Sequence, residues 1–330
     1  MPKESYFEYD LSILENAYTN WYPNIQPYYA VKCNPRIEIL KKLHSLGCEF
    51  DCASRNEIQQ VIDIGVPKDD ILYANPCKKP QDIQWAGEQG VIKTVIESIS
   101  EINKLDKSGY IFDCFLRIRC DDPNAQCTLG NKYGAEEHEW EQLFKRLLLS
   151  HQNLIGVSFH VGSGSKNLDA HQNGVNKSVE CIERSRHFGF DPKIIDIGGG
   201  FRSGCLPPIT LPEGYKIIGE PGRYFAEQVA TLYTPVIGVS DDSLTIDESL
   251  YGSFNCIMYD HARPTPTITG DKEYTIFGCT CDGIDVIGKY MLPSLSIGDM
   301  IEWRNMGAYT NAATTSFNGM SFASTILIKH

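Results

Sequence analysis

The sequence predicts an α/β protein, a (β/α)8 TIM-like barrel followed by an all-β domain. Three observations carry that reading. Between residues 28 and 219, eight short apolar runs alternate with amphipathic segments. Gly47, Gly65, Gly90 and Gly189 each stand after a helical pattern and before the next apolar run, where a helix ends. Beyond residue 224 the helical period disappears and only short alternating or β-branched stretches remain.

The eight runs are 28–33 (YYAVKC), 49–52 (EFDC), 71–74 (ILYA), 92–96 (IKTVI), 111–119 (IFDCFLRIR), 154–161 (LIGVSFHV), 193–197 (KIIDI) and 216–219 (KIIG). Helical patterns fill 36–46, 55–64, 80–89, 98–107, 137–150 and 169–188, several opened by Ser, Asn or Asp at the cap. Eight such units in about 190 residues make a barrel tighter than the usual ~250, and a doubly wound open sheet is the competing architecture. One unit is short: after "DIGGGF" (196–201) only "RSGCLPPITLPEGY" precedes the last run, and its prolines leave no room for a full helix.

The second domain is expected to take strands at 229–239, 254–259, 274–277, 299–303 and 321–328, with 240–249 as a polar surface loop and residues 5–10 as an added strand. The boundaries are therefore 11–224 for the barrel and 225–330, plus 1–10, for the β domain.

Bulk properties narrow the function. A formal net charge of −12 opposes a nucleic-acid backbone as partner and suits a protein that handles cations or small molecules. No apolar stretch approaches the ~20 residues of a membrane span and no apolar leader opens the chain, so a cytoplasmic protein is expected. Most of the twelve cysteines lie inside apolar runs and read as free thiols. Cys279 and Cys281 form a close pair without the second pair or histidine a zinc site needs, so no metal is expected.

Chemistry in such a barrel gathers where strands end. Those ends carry Lys32; Asp51, with Glu57 one turn into the next helix; Arg117 with Asp121 and Asp122; His160 in "HVGSGS"; "GGG" (198–200); and "EPGR" (220–223). A strand-end lysine is either a solvated stem or, when partly desolvated, a nucleophile toward a carbonyl. The glycine triplet is either a tight turn or an anion nest, and Ser163, Ser165 and Arg223 stand on the neighbouring strand ends. Three adjacent ends able to grip one phosphate, facing a lysine, suit a phosphorylated aldehyde. Pyridoxal 5′-phosphate meets both requirements, with Glu220 at its ring nitrogen and His160 on its ring face. A core histidine bonded to a loop carbonyl is the alternative for His160.

The motifs "YAVKCN", "FDCAS", "YANPCK", "HVGSGS", "DIGGGF", "EPGRY", "YGSFNCIMYDH", "CTCDGID" and "GAYT…SFNG" occur in this order, and together they resemble the eukaryotic-type ornithine decarboxylases. Those enzymes have the alanine-racemase-like fold (fold type III) and depend on pyridoxal phosphate. The resemblance implies that Lys32 carries the cofactor, that His160 stacks on it, and that Glu220 pairs with its ring nitrogen. It implies that Ser163, Gly200, Arg223 and Tyr309 hold its phosphate and that Gly199 and Gly222 also bind the cofactor, with Asp51, Glu57 and Arg117 as the polar shell near Lys32. Cys281 would protonate Cα, Asp260 and Asp282 would receive the substrate's distal ammonium, and Tyr259 and Phe317 would complete the substrate side. It further implies decarboxylation of L-ornithine to putrescine in polyamine biosynthesis, by a homodimer whose active sites are shared across the interface, with an antizyme-like regulator as a possible partner. The rival readings are an arginine, lysine or diaminopimelate decarboxylase of the same family, and an inactive antizyme-inhibitor-like binding protein.

Overall fold

The computed structural model describes residues 4–120, 122, 125–127, 132–165, 167–323 and 325–329, so Asp121 lies outside the described residues. The chain divides into two compact units, Asn20–Tyr224 and the residues up to Thr19 together with those from Phe225 onward.

Strand β1 (Tyr6–Asp10) belongs to the second unit. The first unit holds β2 (Ile25–Ala30), β3 (Glu49–Cys52), β4 (Ile71–Tyr73), β5 (Lys93–Ile96), β6 (Asp113–Arg117), β7 (Asn153–Ser158), β8 (Ile194–Asp196) and β9 (Lys216–Gly219). Each pairs in parallel with the next and β9 returns to β2, which closes the barrel and excludes the open sheet. Tyr28, Leu72, Val95, Phe115 and Ile218, from five different strands, pack on one another across its interior. Burial of each such side chain contributes about 1.5–3 kcal/mol.

Helices at Ile37–Leu46, Arg55–Asp63, Pro80–Gln89, Ile99–Ser108, Trp140–Leu148 and Ala170–Arg186 follow the first six barrel strands. Between β8 and β9 the described chain forms no helix; residues 201–215 run as turns and extended segments, tied back where the Tyr22 hydroxyl donates to the Pro207 carbonyl.

The first barrel strand differs from expectation. It runs Ile25–Ala30 rather than 28–33, and Val31–Cys33 forms a 3-10 turn. Pro27 hides the early start, because proline argues against a strand interior. It is tolerated here because Pro27 stands at the last pair with β9, opposite Gly219.

The second unit adds β10 (Ala230–Val239), β11 (Ser243–Ile246), β12 (Lys272–Phe277), β13 (Val286–Leu292), β14 (Met300–Trp303) and β15 (Thr325–Lys329). They form one sheet in the order β13-β12-β11-β10-β1-β15, with β14 also paired to β10. Three expectations fail here. The segment 254–259 is a helix, Asn255–Tyr259, not a strand: Asn255 and Cys256 are buried while Met258 and Tyr259 are exposed, and the Asn255 amide anchors the helix start to Gly252 O at 2.6 Å. The segment 240–249 is not a surface loop, since it contains β11 and ends in fully buried Glu248 and Ser249. The Glu248 carboxylate is held by the Ser253 N–H at 2.7 Å and the Ser249 N–H at 3.0 Å, and burial lifts its pKa to about 8. Strand β13 was not anticipated, because Gly288 interrupts its pattern where the β12 pairing shifts register. Among the described residues no helix is long and apolar enough to cross a membrane.

Candidate active site

The C-terminal ends of the barrel strands surround a cavity of about 260 Å³ lined by Lys32, Arg117, His160, Asp196 and Glu220 with Ala53, Asn75 and Val95. The β2–β3 ladder ends at the Ala30–Asp51 pair, and the turn that follows buries Val31 and Cys33 on either side of the partly exposed Lys32. Lys32 Nζ meets Asp51 Oδ2 at 2.6 Å, with the lysine side chain 42% exposed and the aspartate fully buried. The other Asp51 oxygen is buried without a hydrogen-bond partner among the described residues. Such an orphan acceptor is costly unless a ligand or a proton meets it.

Beyond β3, Ser54 caps the next helix by accepting the Glu57 N–H at 3.3 Å, and Glu57 Oε2 accepts the Ala53 N–H at 2.6 Å. Burial raises the Glu57 pKa against that bond, so Glu57 acts as a brace for the strand end. Arg117, the last residue of β6, lies under the Tyr133 ring at 4.8 Å. His160 Nδ1 accepts the Gly162 N–H at 2.9 Å, and burial, with Arg117 and Lys32 near, holds the imidazole well below its usual range. The ring is neutral and faces the cavity.

Asp196, the last residue of β8, lines the cavity with Glu220 and accepts the Gly198 N–H at 2.9 Å. Burial raises both carboxyls, and the charges of Asp196 and Asp51 raise Glu220 further, so both are pushed toward the protonated form. Asp196 had no role in the sequence reading, although it opens the quoted "DIGGGF".

The glycine triplet is required by space as well as by conformation. Gly198 and Gly200 have φ of +61° and +98°; a Cβ at 198 would stand 2.2 Å from Phe159 O, and one at 199 would stand 2.9 Å from His160 Nε2. Among the described residues the Gly199 and Gly200 N–H groups make no hydrogen bond. Arg223 Nη2 donates to Ser163 Oγ at 3.2 Å, which brings two further donors together. A Cβ on Gly222 would stand 2.9 Å from that of Cys33, so the "EPGR" loop packs on the turn that carries Lys32. Open N–H groups, a hydroxyl and a guanidinium form a donor set suited to a phosphate, and the lysine and carboxyl pair share a cavity. These features fit pyridoxal phosphate.

The remaining predicted residues lie in the second unit. Cys281 and Asp282 occupy the β12–β13 turn, where Asp282 Oδ2 accepts the Tyr251 hydroxyl at 2.5 Å and the Cys281 N–H donates to Asn318 Oδ1 at 2.9 Å. The Tyr251 bond pulls the Asp282 pKa down. Phe317 stacks on Tyr251, centroids 4.1 Å apart. Buried Asp285 shapes the turn by accepting the Ser249 hydroxyl and the Leu250 N–H, both at 2.8 Å. Tyr259 is 70% exposed at the end of its helix, next to buried Asp260, and Tyr309 takes φ +58°. Tyr251 and Asp285 organise this group, and neither was singled out in the sequence, though both stand in quoted motifs.

The family model described as pyridoxal-dependent decarboxylase, pyridoxal binding domain, matches residues 12–206. A chloroplastic ornithine decarboxylase of Nicotiana glauca is 37% identical over 99% of this chain and 84% of its own length. Antizyme inhibitor 2 of Xenopus laevis is 36% identical over 90% of this chain and 74% of its own. The crystal structure of the arginine decarboxylase of Paramecium bursaria Chlorella virus, bound to agmatine, superposes with a TM-score of 0.93 at 36% identity, covering 100% of this chain and 98% of that one. A lysine, a carboxyl pair and a phosphate cradle at one barrel mouth, matched over nearly the whole chain by these relatives, make this chain a member of the pyridoxal-dependent decarboxylases of the alanine-racemase-like fold.

Proposed function

We propose that the chain decarboxylates L-ornithine to putrescine and CO₂, with pyridoxal 5′-phosphate as cofactor, in polyamine biosynthesis. The observation that carries the proposal is the barrel cavity, in which Lys32 faces the Asp196–Glu220 pair beside an open set of phosphate donors. Near-full-length identity to an ornithine decarboxylase supports the substrate.

When bound, the cofactor supplies the electron sink that makes loss of the carboxylate feasible. Lys32 would hold it through Nζ, His160 would cover its ring, and Glu220 would meet its ring nitrogen, keeping a proton at that end of the cavity. Ser163, Gly199, Gly200, Gly222, Arg223 and Tyr309 would hold its phosphate. Asp51 keeps the Lys32 ammonium oriented, and Glu57 and Arg117 support that wall. Cys281 would deliver a proton from Sγ to the substrate's Cα. Asp260 and Asp282 would take the distal ammonium, with Tyr259 and Phe317 against the carbon chain. A charge-assisted pair of this kind is strong when water is excluded.

Arginine is the competing substrate, because the viral structure of nearly equal length acts on it. Release of CO₂ from ornithine, arginine and lysine, measured side by side, decides. Activity with ornithine well above the other two supports the proposal, and none with ornithine overturns it. We also infer a cytoplasmic homodimer in which Cys281 and Asp282 complete the partner's site. Mixing Lys32→Ala with Cys281→Ala protein should then restore part of the activity, and no recovery counts against sharing. The relation to an antizyme inhibitor makes an antizyme-like regulator a partner to test by pull-down.

A further inference from the structure

A glycine triplet has more conformations open to it than any other tripeptide, so the phosphate turn does not hold its own shape. Something outside it must. His171, in the first turn of the Ala170–Arg186 helix and 1% exposed, places Nε2 3.0 Å from Gly199 O. Its ring also stacks on Phe201, immediately after the triplet, with centroids 4.2 Å apart at 25°. The helix that carries it is seated firmly: a Cβ on Gly174, one turn further on, would stand 2.1 Å from the Phe159 ring.

The hydrogen bond has a direction. Burial pushes the His171 pKa down to about 4, so the ring is neutral at ordinary pH. A neutral ring facing a carbonyl through Nε2 carries its one proton there. Nδ1 is then an acceptor, and it is buried without a hydrogen-bond partner among the described residues.

Peptide geometry supplies the next step. Gly199 C=O and Gly200 N–H belong to one planar trans unit and point in opposite directions. With the oxygen drawn toward His171, the Gly200 N–H is turned away from that helix, and it has no protein acceptor among the described residues.

We infer that His171 is a positioning residue, which fixes the Gly199–Gly200 peptide plane so that the Gly200 N–H is presented to a phosphate monoester. The inference rests on the cofactor reading given under Proposed function. Its signature is selectivity for the phosphate, which general loosening of the fold would not produce.

The test is equilibrium binding of pyridoxal 5′-phosphate and of pyridoxal, which lacks the phosphate, to the full chain freed of cofactor. His171→Phe keeps a ring to stack on Phe201 and removes the donor; His171→Gln restores a donor. The Phe variant is expected to weaken pyridoxal 5′-phosphate binding about five- to tenfold, the worth of one ordinary hydrogen bond, and to leave pyridoxal within about twofold. The Gln variant should recover most of the loss. Unchanged pyridoxal 5′-phosphate affinity in the Phe variant, equal weakening of both ligands, or no recovery with Gln each overturns the inference while the cofactor reading stands. Failure of the unaltered protein to bind pyridoxal 5′-phosphate overturns both.

Discussion

The barrel mouth and the β12–β13 turn hold their predicted functional residues on opposite electrostatic plans. In the barrel Glu220, Asp196 and Glu57 are raised toward the protonated form by burial, and His160 is kept uncharged. In the turn, Asp282 lies at the surface and is pulled the other way by the Tyr251 hydroxyl. One region is preorganised at a cost in stability, because buried carboxyls disfavour the folded state once they must ionise. The other costs little and gains its effect only where a ligand excludes water. A role for the barrel acids would therefore be coupled to stability, and a role for the turn would not.

The largest effect expected is at Lys32. Lys32→Ala should lower decarboxylation by about 10³-fold or more, the scale for loss of a group that bonds covalently, measured as CO₂ release. Residual activity within tenfold of the unaltered chain would remove the lysine from the mechanism.

Glu220→Gln should lower turnover about 10²-fold and also stabilise the cofactor-free protein at neutral pH. The sign follows from the raised carboxyl pKa values of the pair. Their contribution is fully present below the unfolded carboxylate range, near 4, and is lost as pH rises through their higher folded values. Thermal melts of cofactor-free protein between pH 5 and 8 should therefore fall with pH, and fall less in the Gln variant. A variant less stable than the parent at pH 7 would break the contrast.

In the turn, Cys281→Ala should lower kcat by roughly tenfold to a hundredfold, the range for a lost general acid, with no change in cofactor affinity or melting temperature. Asp282→Asn should raise the KM for ornithine about tenfold with kcat nearly kept, as expected for a lost charge-assisted contact. The smallest effect belongs to Tyr251→Phe, which removes one hydrogen bond to Asp282 and should change KM about two- to fivefold. A melting shift in any of these three larger than that of Glu220→Gln would contradict the separation of stability from function.

Much of this was legible in the chain because barrel strands and their helices repeat a strong local pattern, and because strand ends concentrate the chemistry. Lys32, Asp51, Arg117, His160, Glu220 and the glycine triplet could be picked out for that reason. The failures share a physical cause. Asn255–Tyr259 reads as a strand by composition but is turned into a helix by one amide's bond to its own backbone, and buried Glu248 looks like loop until the N–H groups that hold it are seen. Asp196, Tyr251 and His171 act by touching a functional neighbour distant in sequence, and one-dimensional periodicity does not register such contacts.

The bare connection between β8 and β9 has a consequence for how the molecule can be altered. Cys205, Glu213 and other residues there are exposed, and a Cβ at Gly214 would meet nothing within 4 Å. Extra chain entering at Gly204 or at Gly214, on either side of the anchored Pro207, would displace no packed helix, and loop-closure entropy grows only slowly with length. This segment is the natural port for a grafted peptide or a reporter domain, downstream of the glycine triplet and outside the strands that support it.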